Sequence, residues 1–174
     1  DRLFQNNGDG TFTDVSDAAG IVQDTSRGFS PSFVDMDGDR YPELLVASDF
    51  GTSKYLVNNG DGTFTNATAA SGTGLDGNGM GHTVGDYNND GLFDWYVTGC
   101  HSPQSNMENG PGTGNMLYMC VGVHAYAETA SIVGASDGGW GWGAITADFD
   151  LDGDEDIVET NGWTNPDSTG VFQW

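Results

Sequence analysis

An all-β chain of antiparallel, propeller-type blades is what this sequence predicts, and three observations predict it. One acidic nine-residue loop is written three times, as Asp35–Glu43, Asp86–Asp94 and Asp148–Asp156. A Gly-led apolar segment starts seven residues before each copy, at Gly28, Gly79 and Gly141. An Asn-Asn-Gly-Asp-Gly-Thr-Phe signature recurs as well, so that Leu3, Tyr55, Leu117 and Val171 stand at one phase, 52, 62 and 54 residues apart. Self-similarity at a period of about 50 residues, with several strands per unit, marks propeller-type repeats. We divide a single repeat domain, 1–174, into repeats 3–54, 55–116 and 117–170, with 171–174 beginning the next blade strand.

The first element is the hairpin Leu3-Phe-Gln-Asn-Asn-Gly-Asp-Gly-Thr-Phe12. Asn-Gly and Asp-Gly between apolar runs supply the positive-φ residues that tight hairpins need. Tyr55-Leu-Val-Asn-Asn-Gly-Asp-Gly-Thr-Phe64 repeats it, and Leu117–Tyr126 is a degraded third version. The segments Gly28–Val34, Gly79–Gly85 and Gly141–Ala147 each place a large apolar residue after Gly and then alternate into the acidic loop, which suits an entering strand. Leaving the loops, Leu44–Ser48, Trp95–Gly99 and Ile157–Asn161 are short β-branched and aromatic runs, hence exit strands. Each acidic loop therefore joins two strands of a hairpin.

Within the loops, oxygen side chains stand at positions 1, 3, 5 and 9: Asp35, Asp37, Asp39 and Glu43; Asp86, Asn88, Asp90 and Asp94; Asp148, Asp150, Asp152 and Asp156. Position 7 varies (Tyr41, Leu92, Asp154), so its main-chain carbonyl is the natural ligand there. A hard cation such as Ca²⁺ takes six to eight oxygens, and alternate positions of a tight loop supply them. An EF-hand is excluded, because its last carboxylate falls at position 12 and helices flank it. Plain solvated turns are the alternative, since Asp, Asn and Gly dominate turns. Against that, carboxylates crowded into nine residues repel one another without a cation. About three Ca²⁺ ions, one per loop, are expected. The first loop is the least regular: Arg40 stands where the others have Gly91 and Gly153, and Glu43 replaces Asp.

Loops, Gly-aromatic segments and hairpins together resemble the FG-GAP/VCBS repeat family, the calcium-loop blades of integrin α-type β-propellers. The resemblance covers nearly the whole chain. It implies blades of about four antiparallel strands with the metal loop between two of them. Such repeats occur in adhesion proteins, lectins and secreted proteins, so the resemblance leaves the role open. Three blades do not comfortably close a ring of the usual 4–8. Either the chain is part of a larger propeller, or copies associate. Matching phase at the two termini allows head-to-tail assembly, because open sheet edges template further pairing.

With 26 acidic and 4 basic residues the formal charge is −22. That balance argues against nucleic acid and against electrostatic binding to anionic membranes. No run of 18 apolar residues exists, so membrane insertion by a helix is not expected. The lack of an initiating Met or signal peptide fits a mature or excised segment. Cys100 and Cys120 bracket the Gly/Pro-rich insertion of the middle repeat, and a disulfide would staple it; free buried thiols are the alternative. Calcium at millimolar levels and disulfides both belong outside the cell, so a secreted or cell-surface location is expected. Asn66-Ala-Thr68 is an N-glycosylation sequon.

Catalytic chemistry finds little footing. His82, His101 and His124 are scattered, without partners at metal-ligand spacing, and His82 reads as a packed or surface residue. Nucleophiles lack a nearby base, and Lys54 is the sole lysine. Trp140, Trp142, Trp163 and Trp174 could stack on a glycan, as in a lectin; blade packing is the simpler reading, since Phe29 and Met80 fill the Trp142 position elsewhere. The expectation is a non-enzymatic, calcium-loaded structural or adhesive repeat protein, with a carbohydrate-binding module as the alternative.

Overall fold

The computed structural model describes residues 1–22, 26–102 and 112–162. The first two strands, β1 (Phe4–Asn6) and β2 (Phe12–Asp14), pair antiparallel with Asn6 opposite Phe12. Their turn is held by side chains: Asn6 Oδ1 accepts the Gly8 N–H at 2.8 Å, and Asp9 Oδ1 accepts the Thr11 N–H at 3.0 Å. Next, β3 (Gly28–Val34), β4 (Glu43–Ser48), β5 (Lys54–Asn58) and β6 (Phe64–Asn66) form a four-stranded antiparallel sheet in chain order. The β5–β6 turn copies the first hairpin, with Asn58 on Gly60 and Asp61 on Thr63.

A second sheet repeats that order with β7 (Gly79–Gly85), β8 (Asp94–Gly99), β11 (Met116–Gly122) and β12 (Ala125–Glu128). Between its middle strands the small ribbon β9 (His101–Ser102) and β10 (Gly112–Thr113) marks the insertion. Finally β13 (Gly141–Ala147) pairs with β14 (Asp156–Asn161). The strands begin at the three Gly residues that the repeat singles out. The chain is a β-propeller-type array, and the described residues form no closed barrel but two whole blades, flanked by β1–β2 in the phase of β5–β6 and by β13–β14 in the phase of β3–β4.

Stacked sheets bury both faces of the middle blades, which explains why β4 and β8 are buried at every residue. Successive side chains on a strand point to opposite faces. Leu45, Ala47 and Tyr55 accordingly pack on Trp95, Val97 and Tyr118 of the second blade, while Leu44, Val46 and Leu56 turn the other way onto Ala19, Ile21 and Leu3. Tyr96 and Leu117 face Ala144 and Ile157 of the last hairpin. Full burial of a large side chain is worth about 1.5–3 kcal/mol, so these interfaces hold the blades together. Close approach requires Gly81, where a Cβ would overlap the Trp142 carbonyl.

The repeat extends further than its hairpins. Short helices α1 (Thr68–Ser71) and α2 (Ala130–Val133) follow β6 and β12 and end at left-handed Gly72 and Gly134, a common helix stop. A turn in the same place ends at Gly20, φ +73°. The sequence signal was present, since Gly20, Gly72 and Gly134 each lie eight residues after the aromatic residues Phe12, Phe64 and Tyr126. Among the described residues no helix is long and apolar enough to cross a membrane.

Candidate metal centres

Each acidic loop links the first two strands of a blade, and the three loops share one hydrogen-bond plan. Position 1 receives the N–H of position 6: Arg40 on Asp35 at 3.0 Å, Gly91 on Asp86 at 2.9 Å, Gly153 on Asp148 at 3.1 Å. Position 5 receives the N–H of position 7: Tyr41 on Asp39, Leu92 on Asp90, Asp154 on Asp152. Position 9 reaches back to the N–H of position 2: Met36 on Glu43, Tyr87 on Asp94, Phe149 on Asp156. Backbone donors thus aim the carboxylates without any cationic side chain.

The bends that allow this lie at positions 4 and 6, both left-handed in all three loops. The φ values are +79° and +76° at Gly38 and Arg40, +57° and +85° at Asn89 and Gly91, and +62° and +100° at Leu151 and Gly153. Arg40 therefore adopts the strained backbone that its position implies, and Leu151 shares the burden.

Position 9 is the anchor. Glu43 and Asp94 are fully buried, and Asp94 also accepts the Cys120 N–H at 2.7 Å, tying the loop to β11. Burial pushes the carboxyls of both up from the ordinary value, with Asp37 adding to it at Glu43 and Asp90 and Asp86 at Asp94. In the first loop Asp35, Asp37 and Asp39 bring oxygens within 4.8 Å of one another, as do Asp148, Asp150 and Asp156 in the third. The second loop gathers no such carboxylate trio, because Asn88 takes position 3 and donates to Asp90 at 2.9 Å. Among the described residues Arg2 pairs with Asp14 and His124 Nε2 lies 3.3 Å from Asp37 Oδ2, so Lys and Arg leave the loop charge uncompensated. An all-oxygen, preshaped and uncompensated donor set fits a hard divalent cation.

Contacts across blades were illegible from spacing. Glu155 Oε2 accepts the Asp86 N–H, and Asp154 accepts Asn89 Nδ2, both at 2.6 Å, so the third loop braces the second. His124 reaches from the second blade to Asp37 of the first loop. His82 is packed, as expected: it accepts the Trp95 indole N–H at 2.8 Å, and burial pushes its pKa down to about 4. Buried Asp76, unnoticed in the sequence, accepts the Ser53 hydroxyl and the Tyr118 hydroxyl between the blades. Asn66 is exposed, with its side-chain oxygen engaged by Thr68.

The expected Cys100–Cys120 disulfide is corrected by the structure: both thiols are free and buried. Strand pairing gives the reason. Met116 lies opposite Val97 and Tyr118 opposite Trp95, so Cys120 and Cys100 diverge toward opposite ends of the β8–β11 ladder. Continuing that register separates them by seven residues, roughly 23 Å at about 3.3 Å per residue, far beyond the ~7 Å limit for Cα atoms of a disulfide. Trp163, Trp174 and the strand expected at 171–174 lie outside the described residues.

Blades with acidic loops between their first two strands define a repeat protein of the propeller type. The sequence profile of the FG-GAP-like repeat matches residues 1–46 and again 35–97, more than half the chain. The chain belongs to the FG-GAP-like repeat family. No curated protein matches it.

Proposed function

We propose that this chain is a secreted or cell-surface calcium-binding scaffold with a structural or adhesive, non-catalytic role. The observation that carries the reading is the threefold recurrence of one loop geometry, in which main-chain N–H groups preorganise the acids at positions 1, 5 and 9. Main-chain carbonyls and water complete each shell. Three similar loops suit a structural ion, since a catalytic metal is normally singular and keeps an open position. Calcium would cancel six of the 22 excess negative charges and so relieve self-repulsion. Membership of the FG-GAP-like repeat family supports both the cation and the extracellular setting.

The partner we propose is a sheet that completes the two-stranded β1–β2 and β13–β14, supplied by a second copy head to tail or by further propeller blades. The test of the calcium reading is a calorimetric titration with Ca²⁺ joined to thermal melts with and without EGTA. For Kd of about 10⁻⁴ M and about 2 mM Ca²⁺, linkage gives about 1.8 kcal/mol per site. Three sites then amount to about 5 kcal/mol, or a drop of about 15 °C in Tm on chelation. A melt indifferent to EGTA would falsify the reading.

A further inference from the structure

The second loop differs from the first in being held by the loop of the next blade. Its position 4 is Asn89, and positions 7 and 8 of the third loop are Asp154 and Glu155. Asn89 Nδ2 donates to Asp154 Oδ1 and the Asp86 N–H donates to Glu155 Oε2, both at 2.6 Å. Glu155 comes so near the entry to the second loop that a Cβ on Gly85 would stand 2.5 Å from its Oε2. Tyr87, at position 2, adds a third tie: its hydroxyl lies 2.6 Å from Thr146 Oγ1 of β13, which is 2.9 Å from Thr83 Oγ1 of β7. The same positions cannot tie the first loop to the second. Gly38 has no side chain to donate, Leu92 and Phe93 have none that accepts, and Met36 stands where Tyr87 carries its hydroxyl. What the first loop receives from the second blade is His124, which comes from the β11–β12 turn and not from a loop.

We propose that Glu155 is a positioning residue of the second loop, and that it couples the second and third loops in calcium binding while the first loop binds alone. This rests on the reading that the loops hold calcium. Glu155 lies in sequence between the position-7 carbonyl of Asp154 and the position-9 carboxylate of Asp156, two ligand groups of the third loop in that reading. An ion in the third loop therefore fixes the backbone on both sides of Glu155, and with it the side chain that accepts the Asp86 N–H. A bond from N–H to a carboxylate is charge-assisted and roughly twice as strong as a neutral one. Asp86 is position 1 of the second loop, and its own carboxylate already receives the N–H groups of Asp90 and Gly91. A second ion then meets a loop whose entry is held, so less ordering entropy remains to oppose it. Linkage makes the effect mutual. Charge alone would not select this pair, since an ion's field reaches the loops on both sides, whereas among the described residues the loop-to-loop hydrogen bonds join only the second and third.

The test is a Ca²⁺ titration of the full chain followed by ¹⁵N NMR at the amides of Arg40, Gly91 and Gly153, the position-6 groups of the three loops. Glu155→Ala should raise the calcium midpoint at Gly91 about tenfold, within the range of about 5–150-fold usual for coupled sites, and leave that at Arg40 unchanged. Glu155→Gln, which keeps an acceptor oxygen, should restore most of the loss. Asp150→Ala, which cripples the third loop, should weaken the second by a like factor, and by nothing further once Glu155 is replaced by Ala. Asp90→Ala in the second loop should in turn weaken the third. A calcium response at Gly153 in Glu155→Ala shows that the third loop is still folded; if that response is lost, Asp150→Ala on the otherwise native chain decides. Equal Gly91 midpoints in wild type and Glu155→Ala, or an Asp150→Ala variant that weakens the first and second loops alike, overturns the coupling and leaves the calcium reading intact. Amides that ignore calcium in all three loops sink the calcium reading, and the coupling with it.

Discussion

Leu151 is 86% exposed at φ +62°, so it bears backbone strain without packing in return. A left-handed conformation costs an L-residue about 1–2 kcal/mol, from which the greater unfolded freedom of Gly must be subtracted. Leu151→Gly should therefore stabilise the calcium-loaded protein by about 0.5–1 kcal/mol, read as a higher denaturant midpoint with an unchanged slope. A lower midpoint would mean that Leu151 makes contacts this geometry does not show. His82 gives a pH prediction of defined sign. Its folded pKa of about 4 lies below the ordinary 6.5, because burial disfavours the imidazolium. The unfolded chain therefore takes up a proton first as pH falls. The contribution is fully present above pH 6.5 and is lost progressively down to pH 4, at most about 3 kcal/mol. Other groups titrate in the same window, so the test is a difference. The unfolding free energy of His82→Gln, measured from pH 7 to 4, should fall less steeply than that of wild type.

Between elements, the chemistry is carried by pairs that lie far apart in sequence. Asp76 follows the first blade yet binds Ser53, at the entry to β5, and Tyr118, in β11. Burial raises its pKa. Asp76→Ala would strip the Tyr118 hydroxyl of its buried acceptor and leave the Ser53 hydroxyl only the Ser48 carbonyl at 3.3 Å, and at about 1–3 kcal/mol for an orphaned group the expected loss is about 2 kcal/mol. Asp76→Asn, which keeps an acceptor oxygen, should recover part of it; chemical denaturation of the two variants decides. Gly81→Ala would force a Cβ into the Trp142 carbonyl, parting β7 from β13, and should lower Tm without altering calcium uptake by the first loop. These examples show why part of the molecule was legible in advance and part was not. An acidic loop and an Asn-Gly hairpin are local, so residue order alone displays them: the loops and paired strands of the described residues stand where spacing placed them. Asp76, His124 and Glu155 act across blades, at separations of 42 residues or more from their partners Tyr118, Asp37 and Asp86. The cysteine reading failed for the converse reason: nearness in sequence suggested a staple, while the strand register carries the two thiols apart.

At the scale of the whole molecule, the first and last described hairpins are complementary halves of one blade. Hairpin β13–β14 has the phase of β3–β4, and β1–β2 that of β5–β6. Their apolar residues are exposed where the counterparts in the whole blades are not: Phe4 is 57% exposed against 1% for Leu56, and Val158 54% against none for Leu45. The pairing inside the complete blades predicts the register of a joined one. Leu44, just after Glu43, lies opposite Leu56, and Trp95, just after Asp94, lies opposite Tyr118. Ile157, just after Asp156, should then lie opposite the residue at that phase: Phe172 of its own chain where 171–174 takes up the strand that the repeat predicts, and Phe4 of a second copy where it does not. Either way the pair would face Tyr96 and Leu117, the side to which Ile157 already packs. Antiparallel partners place Cα atoms about 4.5–5.5 Å apart, inside the disulfide range. With Phe4 as the partner, the double variant Phe4→Cys/Ile157→Cys should consequently form a ladder of cross-linked multimers under oxidising conditions in calcium. Either single variant should give no ladder, since Cys100 and Cys120 are buried. EGTA should diminish the ladder if calcium in the third loop, which joins β13 to β14, holds the docking edge in shape. A double variant that stays monomeric in calcium, by both non-reducing gel and light scattering, would rule out the second copy and leave residues 171–174 or further propeller blades as the partners of these edges.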